Sequence, residues 1–369
     1  MIAWPAVANE GEIPSPALLI DLERVERNLR RMLEIAGGPE RLRPHVKTHK
    51  LGPLVERQIE LGITKFKCAT IAEAEMVAAS GGGRDVMLAF PQSGPNIARL
   101  MALAGEFPET KFSTIADHPA TIRGIDVSAR DARVQMEVLL DIDCGMHRTG
   151  VVPGPDARTL YRLIASSPGL LPGGLHVYDG HNTESDPTAR CAQCEREFAP
   201  VLALRSELEA EGLSVPRLVA GGSPTFPCHA VHHDRELSPG TTVLWDFGYG
   251  DKFPDLPFES AAILLTRVVS KPGANRLCLD LGHKAVAAEN PPPRVRFIEL
   301  PEATPVMHSE EHLVLETPEA DDFVVGQTLH GIPRHVCPTV ALHSEAWIVE
   351  NGRAVDTWPI TARARRISI

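Results

Sequence analysis

Two sequence features stand out for the chemistry they could do. Lys47 lies in the basic stretch RPHVKTHK, residues 43–50, and the turn Gly221–Ser223 leads to Thr225. A lysine amine that is desolvated near other cations is a nucleophile that condenses with an aldehyde. Backbone N–H groups of a glycine turn cradle a phosphate, and the Ser223 or Thr225 hydroxyl can add a donor. Taken singly, each could be a solvated lysine or a plain turn; together they point to pyridoxal 5′-phosphate.

Both features require elements that bring them together. Short apolar runs alternate with helical patterns from about residue 16 to 246, which predicts a parallel (β/α)8 barrel of the TIM type, an α/β fold. The glycine run at residues 81–83 is predicted only to end a helix. The predicted strands are one ending at Arg43–His45, then Lys65–Ala69, Asp85–Phe90, Lys111–Asp117, Val134–Asp143, Gly173–Gly180, Arg217–Ser223 and Gly240–Asp246.

The pattern changes after Asp246 to strands and turns with almost no helix. The sequence therefore predicts a barrel at residues 14–246 and a C-terminal β domain at 247–369, which residues 1–13 could join. The active site of such a barrel lies at the carboxyl ends of its strands. Polar residues that follow predicted strands should therefore meet there; they include His45–Lys50, Met146–Gly150, His176–His181, Ala220–Thr225 and Trp245–Asp246.

Composition excludes several classes of protein. The 369 residues carry a formal net charge of −11, which gives no general electrostatic basis for binding nucleic acid or an anionic membrane. No apolar run approaches the roughly 18 residues of a membrane-spanning helix, and the first ten residues lack the features of a signal peptide. Seven cysteines, an odd number, predict reduced thiols and a cytoplasmic location, with Cys191 and Cys194 as structural residues of one helix.

The stretches 43–50, 146–150 and 221–225 resemble the fold-type III pyridoxal-phosphate enzymes related to alanine racemase. Within that group, the chain from about Pro16 to Ile369 is similar to the family of D-threonine aldolase and D-serine dehydratase. The resemblance implies a barrel followed by a β domain, and a homodimer. It also implies that Lys47 binds the cofactor as a Schiff base and that Arg148 approaches its phenolic oxygen. The other implied cofactor contacts are His176 and Tyr178 to the ring and Gly222 and Ser223 at the phosphate; Gly221 and Thr225 belong to the same predicted phosphate turn.

A second feature is the His335-Val336-Cys337 sequence. If it forms a strand, alternate residues place both side chains on one face. The resemblance implies a divalent-metal site there, holding Mn²⁺, Mg²⁺ or Zn²⁺, and a soft thiolate favours Zn²⁺. Family aldolases tend to have a carboxylate at the position of Cys337, whereas dehydratases have the thiolate. This departure leaves both the metal and the reaction open.

The resemblance favours a lyase that cleaves D-β-hydroxy-α-amino acids by a retro-aldol reaction, turning D-threonine into glycine and acetaldehyde. His181, just after a predicted strand, is the predicted base. The first alternative is a D-serine or D-threonine dehydratase, and an amino-acid racemase is less favoured because no second acid–base group is evident. A non-catalytic cofactor-binding protein and a metal-only barrel hydrolase are further alternatives. No role is assigned to Asp280, His283, Glu311 and His312.

Overall fold

The computed structural model describes residues 4, 6–81 and 84–369. Residues 82 and 83 of the predicted helix stop, and residues 1–3 and 5 of the predicted N-terminal segment, lie outside the described residues. The helices are α1 Leu22–Ala36, α2 Gly52–Glu60, α3 Ile71–Ala79, α4 Pro95–Glu106, α5 Pro119–Asp131, α6 Pro155–Ser166, α7 Pro187–Ala210, α8 Phe226–Ala230, α9 Phe247–Lys252 and α10 Val336–Leu342.

The strands are β1 Ala17–Asp21, β2 Lys65–Cys68, β3 Asp85–Leu88, β4 Lys111–Ala116, β5 Met136–Ile142, β6 Leu170–Val177, β7 Leu218–Ala220, β8 Arg235–Leu237, β9 Ala262–Gly273, β10 Arg276–Leu279, β11 Val295–Phe297, β12 Thr304–His308, β13 Leu313–Glu316, β14 Thr328–Pro333, β15 Glu345–Glu350 and β16 Arg353–Pro359. They form two separate sheets, one of seven strands and one of nine.

The chain divides into two compact units. The barrel unit comprises Met32–Lys47, Gly52–Gly240 and Ala364–Ile369. The β unit comprises the described residues up to Arg31 together with Thr48–Leu51 and Thr241–Arg363. None of the described helices is both long enough and apolar enough to cross a lipid bilayer.

The sheet of the barrel unit is parallel throughout, in the order β2-β3-β4-β5-β6-β7-β8. The segment that precedes Lys47 links its two edges through single parallel bridges, Leu42 to Leu237 and His45 to Lys67. Its interior includes a buried cluster contributed by β3, β4, β5 and β7, the layered packing typical of a barrel. The predicted α/β barrel architecture is confirmed. The cluster residues are Met87, Ile115, Leu139 and Val219.

The eighth strand lies earlier than predicted. It is Arg235–Leu237, whereas the predicted strand at 240–246 contains a 3-10 turn, Thr241–Val243. Pro239 and Gly240 end the strand, and the following residues are buried on all sides. Their apolar and β-branched composition therefore reflects burial rather than strand pairing.

Proline begins several helices of the barrel unit. Pro95, Pro119, Pro155 and Pro187 each occupy a first helical position, where a missing N–H costs no intrahelical hydrogen bond. The long helix α7 is also capped, since the Asp186 carboxylate accepts the N–H of Ala189. These signals fix where the helices begin and therefore the lengths of the loops that follow the strands.

The sheet of the β unit is mostly antiparallel and includes β1. Strand β1 pairs in parallel with β15 and antiparallel with β9, and the order is β12-β13-β10-β9-β1-β15-β16, with β14 pairing β9 and β11. Alternate residues of β1 and β9 bury in its core, among them Leu19, Ile263 and Leu265. A predominantly β region after residue 246 is present as predicted, and β1 joins it from the other end of the chain.

Cys191 and Cys228 form a disulfide that joins α7 to α8, with their Cα atoms 5.0 Å apart. The expectation of reduced thiols was therefore wrong for these two residues. Their separation of 37 positions gives no sequence signal of pairing. The neighbouring Cys194 remains a free, buried thiol.

Candidate active site

A cavity of about 230 Å³ in the barrel unit brings together four predicted site residues: Lys47, Arg148, His176 and Tyr178. His45 and Lys67 also line it. Lys47 lies in a 3-10 turn, Val46–Thr48, immediately after the bridge that His45 makes with β2. The predicted position at the end of a barrel strand thus brings the Lys47 amine to the cavity.

Positive charge gathers around one aromatic ring. The guanidinium carbon of Arg148 lies 5.0 Å from the centre of the Tyr178 ring. The ammonium nitrogens of Lys47 and Lys67 lie 5.8 Å and 5.6 Å from the same point. Cations over an aromatic face are attracted by its quadrupole. Among the described residues, those that line this cavity include several cations and no carboxylate, which favours an anionic occupant.

Lys67 is a site residue that the sequence analysis missed. It is 4% exposed on β2, and its backbone N–H donates to the carbonyl of Pro44. Burial, together with the charge of the nearby Lys47, lowers the pKa of Lys67 to about 7. The sequence contains only one hint of this, a lysine within an otherwise buried strand.

His176 is held by a buried partner. Its Nδ1 lies 2.6 Å from Oδ1 of Asp141, its register partner on β5. Burial lowers the pKa of His176, and the Lys67 charge acts in the same direction. Burial alone would raise the pKa of Asp141, but the hydrogen bond with His176 holds it below its usual range. The buried Nε2 of His176 has no hydrogen-bond partner among the described residues.

The predicted phosphate turn follows β7 and approaches Tyr178 closely. Gly221 has φ +74°, which a side chain would strain. A Cβ on Gly222 would lie 3.0 Å from the Tyr178 ring. The Thr225 hydroxyl donates to Asp179 Oδ1 at 2.7 Å and accepts the N–H of Gly222. These two hydrogen bonds of the Thr225 hydroxyl therefore stabilise the conformation of the turn.

Two further interactions fix this turn. The Ser223 hydroxyl accepts the N–H of Gly240 at 3.0 Å. Asp179 also pairs with His229 of α8, Nε2 to Oδ2 at 2.7 Å, and both side chains are fully buried. Arg235 donates to the other ring nitrogen of His229. The turn and the start of α8 are thus anchored to the barrel by a buried polar network.

These residues fit the predicted cofactor. Lys47 supplies an amine for its aldehyde, Arg148 a cation for its phenolic oxygen, and Tyr178 an aromatic surface for its ring. The unpartnered His176 Nε2 and the close approach of Gly222 leave polar and backbone groups suited to a phosphorylated pyridine. The donor set therefore matches the group that the sequence predicts.

His181 occupies a different place. It follows β6 but does not line the cavity. Its Nε2 lies 3.0 Å from Oε1 of Glu197 on α7, and Gln193 donates to the same oxygen. The structure therefore places the predicted base beside a carboxylate of α7, and His181 follows Tyr178 by three residues in the chain.

His335 and Cys337 come together in the β unit, but not on a strand. His335 precedes α10 and Cys337 lies in its first turn. Pro338 is tolerated there because the first turn of a helix has no intrahelical N–H bonds to lose. The strand prediction was wrong, yet the two side chains still pair. Burial opposes the charge on His335, but the contact with Cys337 and the charge of that thiolate raise the pKa of His335 to about 9.

The surroundings of this pair suit a metal ion. His335 Nδ1 lies 2.6 Å from Oε1 of Glu289, a contact that fixes the ring and leaves Nε2 to bind. The sulfur of Cys337 lies 3.2 Å from the Thr48 hydroxyl. Asp246 anchors the segment, because its carboxylate accepts the N–H of Val336 at 3.0 Å. An imidazole and a thiolate supplied together are ligands that Zn²⁺ prefers.

Two polar segments of the β unit, residues 280–284 and 309–312, lie next to each other. The N–H of His283 donates to the carbonyl of Ser309, and Lys284 pairs with Glu311 at 3.1 Å. Asp280 accepts the Thr266 hydroxyl at 2.6 Å. The contacts of His283 and Lys284 join the loop after β10 to the loop between β12 and β13.

Two family models match the chain. The model for the alanine racemase N-terminal domain covers residues 20–246, and that for a putative serine dehydratase domain covers 261–349. A D-threonine aldolase from Arthrobacter sp is 31% identical, over 98% of this chain and 97% of that protein. The chain belongs to the D-threonine aldolase and D-serine dehydratase family. This confirms the resemblance that the motifs carry.

Solved structures of the family share the fold. A D-threonine aldolase from Filomicrobium marinum has a TM-score of 0.87 at 27% identity, covering 98% of each chain. A D-threo-3-hydroxyaspartate dehydratase from Delftia sp. HT23 has a TM-score of 0.81 at 25% identity, covering 95% of this chain and 98% of that one. A cysteine-to-alanine mutant of a dehydratase of that name was solved in a metal-free form.

Proposed function

We propose that this family member is a D-threonine aldolase-like lyase that uses pyridoxal phosphate and a divalent metal. Its substrates are D-β-hydroxy-α-amino acids, and D-threonine gives glycine and acetaldehyde. The observation that carries the proposal is the cavity in which Lys47, Arg148 and Tyr178 meet. The full-length similarity to a D-threonine aldolase supports the aldolase outcome.

The protein's residues have separate tasks in this reaction. Lys47, Arg148 and His176 would hold the cofactor, with the Gly221–Ser223 turn at its phosphate. The cofactor, when bound, withdraws electrons from the substrate's α-carbon. His181 takes the proton of the β-hydroxyl; as the Cα–Cβ bond breaks, that oxygen becomes the aldehyde carbonyl and the α-carbon later gains a proton.

The His335–Cys337 pair holds the metal in this proposal. A divalent cation there supplies a Lewis acid that acidifies a hydroxyl group. The thiolate of Cys337 favours Zn²⁺, while Mn²⁺ and Mg²⁺ prefer oxygen ligands. The fit rests on the contact between the two side chains and on the Glu289 carboxylate that orients the imidazole.

Two observations favour a second candidate, a dehydratase. Cys337 provides the thiolate that the resemblance associates with dehydratases, and the serine dehydratase model matches residues 261–349. In that reaction, Lys47 removes the α-proton and the hydroxyl leaves. The hydroxyl group departs as water, and hydrolysis of the resulting imine consumes one water, so D-threonine would give 2-oxobutanoate and ammonia.

Product analysis separates the two candidates. Purified holoenzyme is incubated with D-threonine, L-threonine and D-serine, and the products are quantified. The aldolase proposal requires glycine and acetaldehyde in equal amounts from D-threonine only. Formation of 2-oxobutanoate and ammonia from D-threonine would contradict the aldolase proposal and support the dehydratase. A homodimer is proposed alongside, and sedimentation at equilibrium measures it.

A further inference from the structure

Three chemically distinct ligand groups converge beside the long helix of the barrel unit. Cys144 lies after β5, His181 lies after β6, and Glu197 lies on α7. One ligand atom from each lies within 4.8 Å of the other two. The sequence does not predict this meeting, because the three residues come from separate elements.

Three polar atoms of this group have no hydrogen-bond partner among the described residues, although the Cys144 thiol donates to the Tyr178 carbonyl and Glu197 Oε1 accepts from Gln193. Both ring nitrogens of His181 are buried and have no hydrogen-bond partner among the described residues. The same is true of Oε2 of Glu197. The 3.0 Å approach of His181 Nε2 to Glu197 Oε1 does not have the geometry of a hydrogen bond. Buried polar atoms are nearly always partnered in folded proteins. These atoms are therefore available to bond with a ligand at this site.

A second cluster of ligand-type side chains differs from this one, because its atoms are already hydrogen-bonded to one another. Asp179, Cys194 and His229 also lie within ligand distance of one another. Their atoms are bonded already, since His229 and the Cys194 thiol both contact Asp179 Oδ2, at 2.7 Å and 3.5 Å. That cluster is closed and fully buried. Of these two clusters found among the described residues, the one that contains His181 combines convergence with unpartnered atoms.

The backbone also accommodates the arrangement. Gly145, next to Cys144, has φ +134°, and a Cβ there would lie 2.6 Å from Nε2 of His181. Glycine is therefore required for the loop after β5 to approach the imidazole so closely. The loop brings the thiol of Cys144 to the same place.

We propose that Cys144, His181 and Glu197 form a binding site for a divalent cation of the zinc class. Sulfur, imidazole nitrogen and carboxylate oxygen are the three donor types that Zn²⁺ accepts, and three protein ligands leave a fourth position open. The site shares no residue with the His335–Cys337 pair, so the chain would bind two cations.

This site has a consequence that rests on the proposed function. The electron pair that His181 gives to a cation is no longer available to a proton. Zn²⁺ in excess of the first equivalent should therefore inhibit cleavage of D-threonine by removing the base. Zinc would activate at one site and inhibit at the other.

The binding test uses holoenzyme and Co²⁺ as the probe for zinc. The Cys337→Ala variant removes the thiolate of the first site; it should still bind one Co²⁺ per chain, with a sulfur-to-cobalt absorption band in the near ultraviolet. Adding Cys144→Ser should abolish that band, whereas adding Cys278→Ala, a cysteine of β10, should leave it unchanged. Glu197→Gln, which keeps the thiol, should weaken Co²⁺ binding at least about tenfold. Absence of the band in Cys337→Ala, or its survival after Cys144→Ser, would overturn the site.

Measuring the cleavage of D-threonine in excess Zn²⁺ distinguishes failure of this cation site from failure of the proposed function. Excess Zn²⁺ should inhibit the wild-type holoenzyme at least about tenfold and should not inhibit Cys144→Ser. Binding without inhibition keeps the cation site and contradicts His181 as the base. Inhibition that persists in Cys144→Ser overturns the inhibitory role of this site.

Discussion

His176 and Asp141 are register partners on neighbouring strands, and their side chains meet at 2.6 Å in the interior of the barrel unit. A buried carboxylate that accepts a hydrogen bond from an imidazole fixes which ring nitrogen carries the proton. The other nitrogen of His176 is thereby left as an acceptor. The pair holds the ring that the cofactor is proposed to contact.

Replacing Asp141 by Asn should destabilise the protein. The change removes a buried, charge-assisted hydrogen bond, so the free energy of unfolding should fall by about 1.5–3 kcal/mol. Urea titration measures it. The control is Asp156→Asn on the exposed start of α6, which should change stability by less than about 0.5 kcal/mol. Equal effects of the two variants would contradict the role of the pair.

Lys67 should give the cofactor-free protein an unusual pH dependence. Its pKa is about 7 in the folded chain and 10.5 in the unfolded chain. Between these values only the unfolded chain binds the proton, so stability should rise as pH increases from about 7 to about 10. The rise should be on the order of a few kcal/mol.

Thermal unfolding across this pH range tests the role of Lys67. Lys67→Met should flatten the profile and raise stability at pH 7. Lys65→Met is the matched control on the same strand, since Lys65 is paired with Glu236 at 2.8 Å and is partly exposed. A wild-type profile that falls between pH 7 and 10, or one that Lys67→Met leaves unchanged, would refute the assignment.

The metal and the cofactor should be separable. A chelator should lower activity at least about tenfold while the absorbance of the bound cofactor remains, because Lys47 and the His335–Cys337 pair are different groups. Cys337→Asp should shift the preferred metal from Zn²⁺ towards Mn²⁺, since a carboxylate is a harder ligand. Simultaneous loss of metal and cofactor would argue against this division of roles.

The disulfide should appear in a thiol count. Under denaturing, non-reducing conditions a thiol reagent should titrate five cysteines, and after reduction all seven. Peptide mapping should recover Cys191 and Cys228 in one linked product. Seven reactive thiols before reduction would show that the bond does not form in the purified protein.

Much of the barrel unit could be predicted from the sequence. Strand ends identify where polar side chains meet, and the structure brings Lys47, Arg148, His176 and Tyr178 to one cavity. Lys67 was not predicted as a site residue from the sequence, because a charged residue in a strand is usually taken as solvent-exposed. A barrel interior also accommodates polar residues near its active site. The residues at 240–246 were assigned to a strand because burial on all sides and strand pairing select the same residue types.

Contacts between residues far apart in the chain explain the other differences between the sequence-based predictions and the structure. The contact of His335 with Cys337 was expected from a strand but arises at the start of α10, where Pro338 is a helix-start signal. No local pattern shows that Cys191 meets Cys228 or that β1 joins the β unit. The disulfide also removes part of the argument for reduced thiols, and the cytoplasmic location stays a prediction.

Covalent attachment of the cofactor to Lys47 is the central claim, and reduction with borohydride followed by peptide mass mapping tests it most directly. The two lysines of the cavity lie in different tryptic peptides, so the method distinguishes them. The reduced cofactor should be found on Lys47 in the wild-type holoenzyme and should be absent from Lys47→Ala. Attachment to Lys67, or no attachment at either lysine, would contradict the account.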